Sequence, residues 1–153
     1  MAPPPNLNLT PPANTATQSS PNSTAPATTA SDLLITTHVL DTTTSRPAVN
    51  LKCILKAMGG PSWEASTDDN GHITDWIPAS GGTLKNFVDD WKANGAADSI
   101  AAFQLQFLTA DYFGRDNTLY LGVQITIMAK KEEGHYHLPL LLGPNSYRTY
   151  RGA

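Results

Sequence analysis

The chain has 153 residues, of which 40% are apolar and 15% charged, and a net charge of −3, so it is the size of one domain with a segment appended. The slight acidity excludes nucleic acid as the main partner, because no basic stripe is present to neutralise phosphates. A lone cysteine, Cys53, excludes an intramolecular disulfide and a cysteine-based zinc site; it reads as a small core residue in a reducing compartment.

Residues 1–31 hold seven of the twelve prolines and no charged side chain, the rest being chiefly Thr, Ser, Asn and Ala. Such a composition buries too little apolar surface to offset an ordering cost of roughly 1 to 2 kcal/mol per residue, so a disordered leader is expected there. A modified or partner-binding tail is the other reading of the same composition. The ordered domain is expected over 32–153. The N-terminus lacks the charged and apolar regions of a secretory signal, and no stretch approaches the about 18 apolar residues of a membrane span. A soluble, cytoplasmic protein is expected, with the peroxisome as the alternative, although Arg151-Gly152-Ala153 is not a Ser-Lys-Leu address.

Residues 33–41 are rich in β-branched side chains and end at a Thr/Ser/Arg-Pro turn over 42–47, which predicts a strand followed by a turn. The twofold period of a strand puts Leu34, Thr36, His38 and Leu40 on one face and Ile35, Thr37 and Val39 on the other. Two further strands are predicted over 49–58 and 62–67. Asn70-Gly71 then gives a strong hairpin signal, with 72–76 as the returning strand and His72 at the exit of a tight turn. Leu84, Phe87, Val88 and Trp91 recur at helical spacing, so 83–93 predicts a short helix with Thr83 as cap and Asn94-Gly95 as stop. Residues 100–108 and 119–129 predict strands, with one helical turn or a tight loop at 109–114 between them. A hairpin over 130–134 leads into a strand carrying His135 and His137, a turn at 143–145, and a final segment dense in Tyr and Arg. Seven or eight short strands with at most two short helices indicate an all-β antiparallel sandwich.

Three of the four histidines fall on strands. His135 and His137 share one face, about 6 to 7 Å apart along the chain. With His38 they invite comparison to a three-histidine metal site, but no carboxylate spacing supports one. They equally suit a site at which neutral imidazole takes a proton from water while a second imidazole or a guanidinium holds developing negative charge. For His38 and His72, a hydrogen-bonded or solvated structural residue is the alternative.

The segments Ile35-Thr36-Thr37-His38-Val39-Leu40-Asp41, Asn70-Gly71-His72, His135-Tyr136-His137-Leu138-Pro139-Leu140-Leu141-Leu142 and Tyr150-Arg151-Gly152-Ala153 together resemble the transthyretin-related 5-hydroxyisourate hydrolases. The resemblance covers essentially everything after residue 32. It implies a transthyretin-like (prealbumin-like) sandwich of two four-stranded sheets, a homotetramer built as a dimer of dimers, and sites in the channel where dimers meet. It also implies hydrolytic opening of the cyclic amide of 5-hydroxyisourate without cofactor or metal. By position, His38 and His137 match the family's catalytic histidines, and Tyr150, Arg151, Gly152 and Ala153 match the segment that shapes the substrate pocket. Two positions depart from the pattern. His72 stands where these hydrolases have an arginine, so a shorter, largely neutral group replaces a bidentate cation, with Arg151 a candidate substitute. Ala153 stands where the family ends in serine, which removes a hydroxyl worth about 0.5 to 1.5 kcal/mol in a hydrogen bond. A non-catalytic carrier of small ligands, as in transthyretin itself, is the alternative reading that His72 favours.

Overall fold

The computed structural model describes residues 34–96 and 98–153. The leader expected over 1–31 lies outside the described residues. In chain order the elements are β1 (Leu34–Asp41), β2 (Arg46–Pro47), β3 (Lys52–Ala57), β4 (Ser62–Ser66), β5 (His72–Ile73), β6 (Ile77–Ser80) and α1 (Leu84–Asn94). They continue with β7 (Ile100–Phe107), α2 (Thr109–Phe113), a 3-10 turn (Arg115–Asn117), β8 (Val123–Lys130), β9 (His135–Leu142) and β10 (Tyr147–Thr149).

Two sheets form. One has the order β10-β9-β1-β2 with β5 also paired to β1; the other has the order β6-β4-β3-β7-β8. Their inner faces make the core. From the first sheet come Ile35, Val39, Tyr136, Leu138, Leu140 and Leu142, and from the second Cys53, Leu55, Trp63, Phe103, Leu105 and Phe107. The alternation read in 33–41 is therefore a division between core and surface: Ile35, Thr37 and Val39 are fully enclosed, whereas His38 and Leu40 are only partly covered. Cys53 is buried and free, and burial pushes its thiol far above the usual range, so it remains a protonated core residue.

The sandwich has the expected fold, with differences of detail. Each sheet holds five strands rather than four: the two-residue pieces β2 and β5 add to β10-β9-β1 in the first, and the edge strand β6 adds to β4-β3-β7-β8 in the second. Within the otherwise antiparallel ladders, β1 and β9 run parallel, in a register that sets Thr36 beside His137 and His38 beside Pro139. The Asn70-Gly71 turn forms, but it does not close a hairpin between neighbouring strands. The Asp68 carboxylate accepts from the backbone N–H groups of Asn70 and His72, and the chain then crosses from β4 in one sheet to β5 in the other. Gly71 explains the crossing. It has φ +77°, its carbonyl accepts from Val39 N–H at 2.8 Å, and a Cβ there would meet the Val39 carbonyl at 2.5 Å. Only glycine lets the turn lie this close to β1.

The helix α1 has the predicted ends. Thr83 accepts from Asn86 N–H, and Gly95 N–H returns to the Trp91 carbonyl. Phe87 packs edge-on against Trp63 and Phe103, and Val88 is buried, so the apolar stripe is a packing face. At the other end of β1, Asp41 accepts from Thr43 and from the Tyr112 hydroxyl. Burial pushes the Asp41 carboxyl up, but these hydrogen bonds together outweigh it and hold it below its ordinary value.

Candidate active site

The outer face of the first sheet carries all four histidines. The parallel β1–β9 register places Leu34 opposite His135 and Thr36 opposite His137. The β1–β5 register places His38 opposite His72. A strand alternation visible in the sequence thus becomes, through two pairings between distant segments, a single patch of imidazoles.

Two of these rings are stacked. His38 and His72 lie 4.1 Å apart between centroids with an interplanar angle of 15°. The other two, His135 and His137, are 6.2 Å apart, within the separation expected for alternate residues on a strand. Thr36 links that second pair. Its hydroxyl oxygen is 2.8 Å from His137 Nδ1 and 3.1 Å from His135 Nε2, while its own residue is 6% exposed.

The surroundings favour neutral imidazole at two positions. Burial lowers the His38 pKa from its ordinary 6.5, and the adjacent His72 lowers it further, against opposing contributions from the Asn70 backbone and Asp68. Burial likewise lowers the pKa of His137, helped by His135, His38 and His72. Near neutral pH, His38 and His137 are therefore available as proton acceptors or neutral donors.

The C-terminal segment is tied to this patch. Thr149 donates from its hydroxyl to the Pro139 carbonyl, and Gly152 N–H donates to the His137 carbonyl at 2.8 Å. A Cβ on Gly152 would meet His137 Cδ2 at 2.6 Å and Pro139 Cγ at 3.1 Å, so the chain passes against the imidazole in a way that glycine permits. Tyr150 and Ala153 are exposed beside it.

The sequence-derived site residues do not all converge. His38, His72 and His137 share the face, and Gly152 closes on His137. The Arg151 guanidinium is instead paired with the Glu133 carboxylate and stacked 4.6 Å from the centre of the Tyr136 ring. That contact holds Glu133 below the usual carboxylate range. Among the described residues no three His, Cys, Asp or Glu side chains are placed to hold a metal ion. Thr36 was not singled out by sequence reasoning. The alternation put it on the His38 face, but its contact with His137 depends on a pairing across 101 positions.

A model of the HIUase/Transthyretin family matches residues 35–152. The 5-hydroxyisourate hydrolase of Deinococcus radiodurans is 33% identical over 128 residues, covering 78% of this chain and 95% of that protein. The 5-hydroxyisourate hydrolase 2 of Rhizobium meliloti is 32% identical over 125 residues, with the same two coverages. Among solved structures, that of Klebsiella pneumoniae 5-hydroxyisourate hydrolase superposes with a TM-score of 0.58 at 25% identity, over 79% of this chain and 99% of that one. Sea bream transthyretin in complex with thyroxine superposes with a TM-score of 0.59 at 23% identity, over 78% and 94%, a likeness of fold.

Proposed function

Because the chain belongs to the HIUase/transthyretin family, we infer that it is a hydrolase that opens the cyclic amide of 5-hydroxyisourate in urate degradation. The observation that carries the reading is the patch of imidazoles on the outer face of the first sheet, with His38 and His137 both held toward the neutral form. Hydrolysis of an amide needs a group that removes a proton from water and a donor that supports the oxyanion or protonates the departing nitrogen. Two neutral imidazoles on one face supply both. His38 and His137 are the proposed catalytic residues, and His72, Tyr150, Arg151, Gly152 and Ala153 the proposed substrate-binding residues.

His72, at the position where the family resemblance expects an arginine, differs from it in shape and in reach. Stacked on His38, it offers a planar surface and one ring edge in place of a bidentate fork. Arg151, engaged by Glu133 and Tyr136, would have to leave both to reach a substrate beside His38. The proposed assembly is a homotetramer. Leu34 is 45% exposed on the same outer face, and β8 and β10 each form the end of their sheet, which leaves surface and strand edges for other copies. The proposed location is the cytoplasm, with the peroxisome as the alternative; among the described residues no helix is long and apolar enough to cross a membrane.

The test is the decay of 5-hydroxyisourate generated in place from urate by urate oxidase and followed by ultraviolet absorbance across roughly pH 5.5 to 8.5, a range that brackets imidazole titration. Decay faster than the spontaneous rate, retained as pH falls to about 6.5, is expected for imidazoles that stay neutral. Activity lost toward the alkaline end of that range, and restored there by His72→Arg, would instead assign the anion-binding part to a charged His72. No acceleration by folded protein at any pH would refute the hydrolase reading and leave a carrier of small ligands.

A further inference from the structure

The Thr36 hydroxyl has one proton and two imidazole neighbours, so it donates to one ring and accepts from the other. The shorter contact, 2.8 Å, is to His137 Nδ1, and the longer, 3.1 Å, is to His135 Nε2. With His135 Nε2–H donating to Thr36 Oγ1, the Thr36 O–H is left to donate to His137 Nδ1.

We propose that Thr36, backed by His135, is a positioning residue that fixes His137 as the Nε2–H tautomer, making His137 the hydrogen-bond donor to the developing oxyanion and leaving His38 as the base that takes the proton from water and returns it to the departing nitrogen. The proposal rests on the hydrolase reading above and deepens it, because it says which histidine does what.

Three observations support it besides the distances. The hydroxyl is buried and its two hydrogen-bonding partners here are these rings, so it needs both contacts to satisfy its donor and an acceptor site. With Nδ1 engaged by Thr36, Nε2 is the ring nitrogen left for a substrate, on the side of the ring where Cδ2 faces Gly152. The opposite assignment, with Nδ1 protonated, would require the hydroxyl to donate to His135, an exposed ring that water can satisfy equally well. His38 has no such hydroxyl. Its ring is stacked on His72 4.1 Å away, and no side-chain hydroxyl among the described residues fixes its tautomer, so a ring nitrogen is free to take a proton from water. One ring that hydrogen-bonds the oxyanion, and one that takes the proton from water and passes it to the departing nitrogen, together meet what opening an amide requires.

The experiment is long-range proton–nitrogen NMR on full-length protein with labelled histidine, without substrate, at a pH above both lowered pKa values, alongside turnover of Thr36 variants. His137 is expected with Nε2 protonated and Nδ1 bare. Thr36→Val removes the hydroxyl at nearly constant volume; it should mix the His137 tautomers and lower kcat by at least about tenfold while KM changes much less. Thr36→Ser should restore most of both. A wild-type His137 protonated at Nδ1 overturns the assignment without any variant, so the outcome does not depend on Thr36→Val folding. Folded Thr36→Val with wild-type kcat overturns the positioning role while leaving the hydrolase reading intact. Absence of turnover in wild-type protein would instead refute the hydrolase reading, and the roles assigned here with it.

Discussion

The two faces of the β1–β9 pair are made by the same sixteen residues and do opposite things. Inward, Ile35, Val39, Leu138, Leu140 and Leu142 are buried against the second sheet. Outward, Thr36, His38, His135 and His137 form the imidazole patch. In a strand, one residue's step changes the side of the sheet, so stability and chemistry alternate along the chain instead of occupying separate segments. Substitutions one position apart should therefore fail in different ways.

The largest effect is expected on the outer face. His38→Asn and His137→Asn should each lower kcat for 5-hydroxyisourate by about 10²- to 10⁴-fold, the usual contribution of acid–base catalysis, with urea midpoints close to wild type. Near-normal turnover in both variants would remove the proposed mechanism. Next comes the inner face. Leu140→Ala, at a position with no exposure, should cost about 2 to 5 kcal/mol in urea unfolding while turnover per folded molecule stays near wild type. A large loss of kcat at full folding would show that the two faces are more tightly coupled than the alternation implies.

The smallest effect is on the pH dependence of stability, and it links the faces. His38 and His137 have lowered pKa values in the folded chain, so near and below pH 6.5 the unfolded chain binds more protons than the folded one. Their contribution to stability is therefore present above 6.5 and is lost as pH falls through their folded values. Urea unfolding followed downward from neutral pH should show a decline that is shallower in His38→Asn and His137→Asn. Equal slopes in wild type and both variants would mean that these two rings are not what the acid limb reports.

Much of the fold was legible because its signals are local. The helix α1 ends where Thr83 and Gly95 predict, since capping involves residues within one turn. The run over 72–76 read as one strand, yet only His72–Ile73 pair with β1, and Ile77–Ser80 join the other sheet instead. Residues 119–122 read as strand because they are apolar, but β8 starts at Val123, with Leu119 and Leu121 exposed ahead of it. Apolar character marks a candidate for pairing; a partner at the right place decides whether pairing occurs.

The site divides in the same way. His38, His137 and the terminal Tyr150-Arg151-Gly152-Ala153 are proposed on the strength of contiguous motifs. Neither the stacking of His72 on His38 nor the link from Thr36 to His137 has a local signature, and Arg151 turned out to be held by Glu133.

The strand alternation, the capped ends of α1, the solitary cysteine and the residue types available for proton transfer are properties of residues and their neighbours along the chain. Tertiary structure alone decided that β1 and β9 run parallel, that Gly71 brings its turn against Val39, and that four histidines meet on one face. Those outcomes depend on register between segments far apart in the chain. Register is set by burying both inner faces at once, a condition that belongs to the whole sandwich and to no single stretch of it.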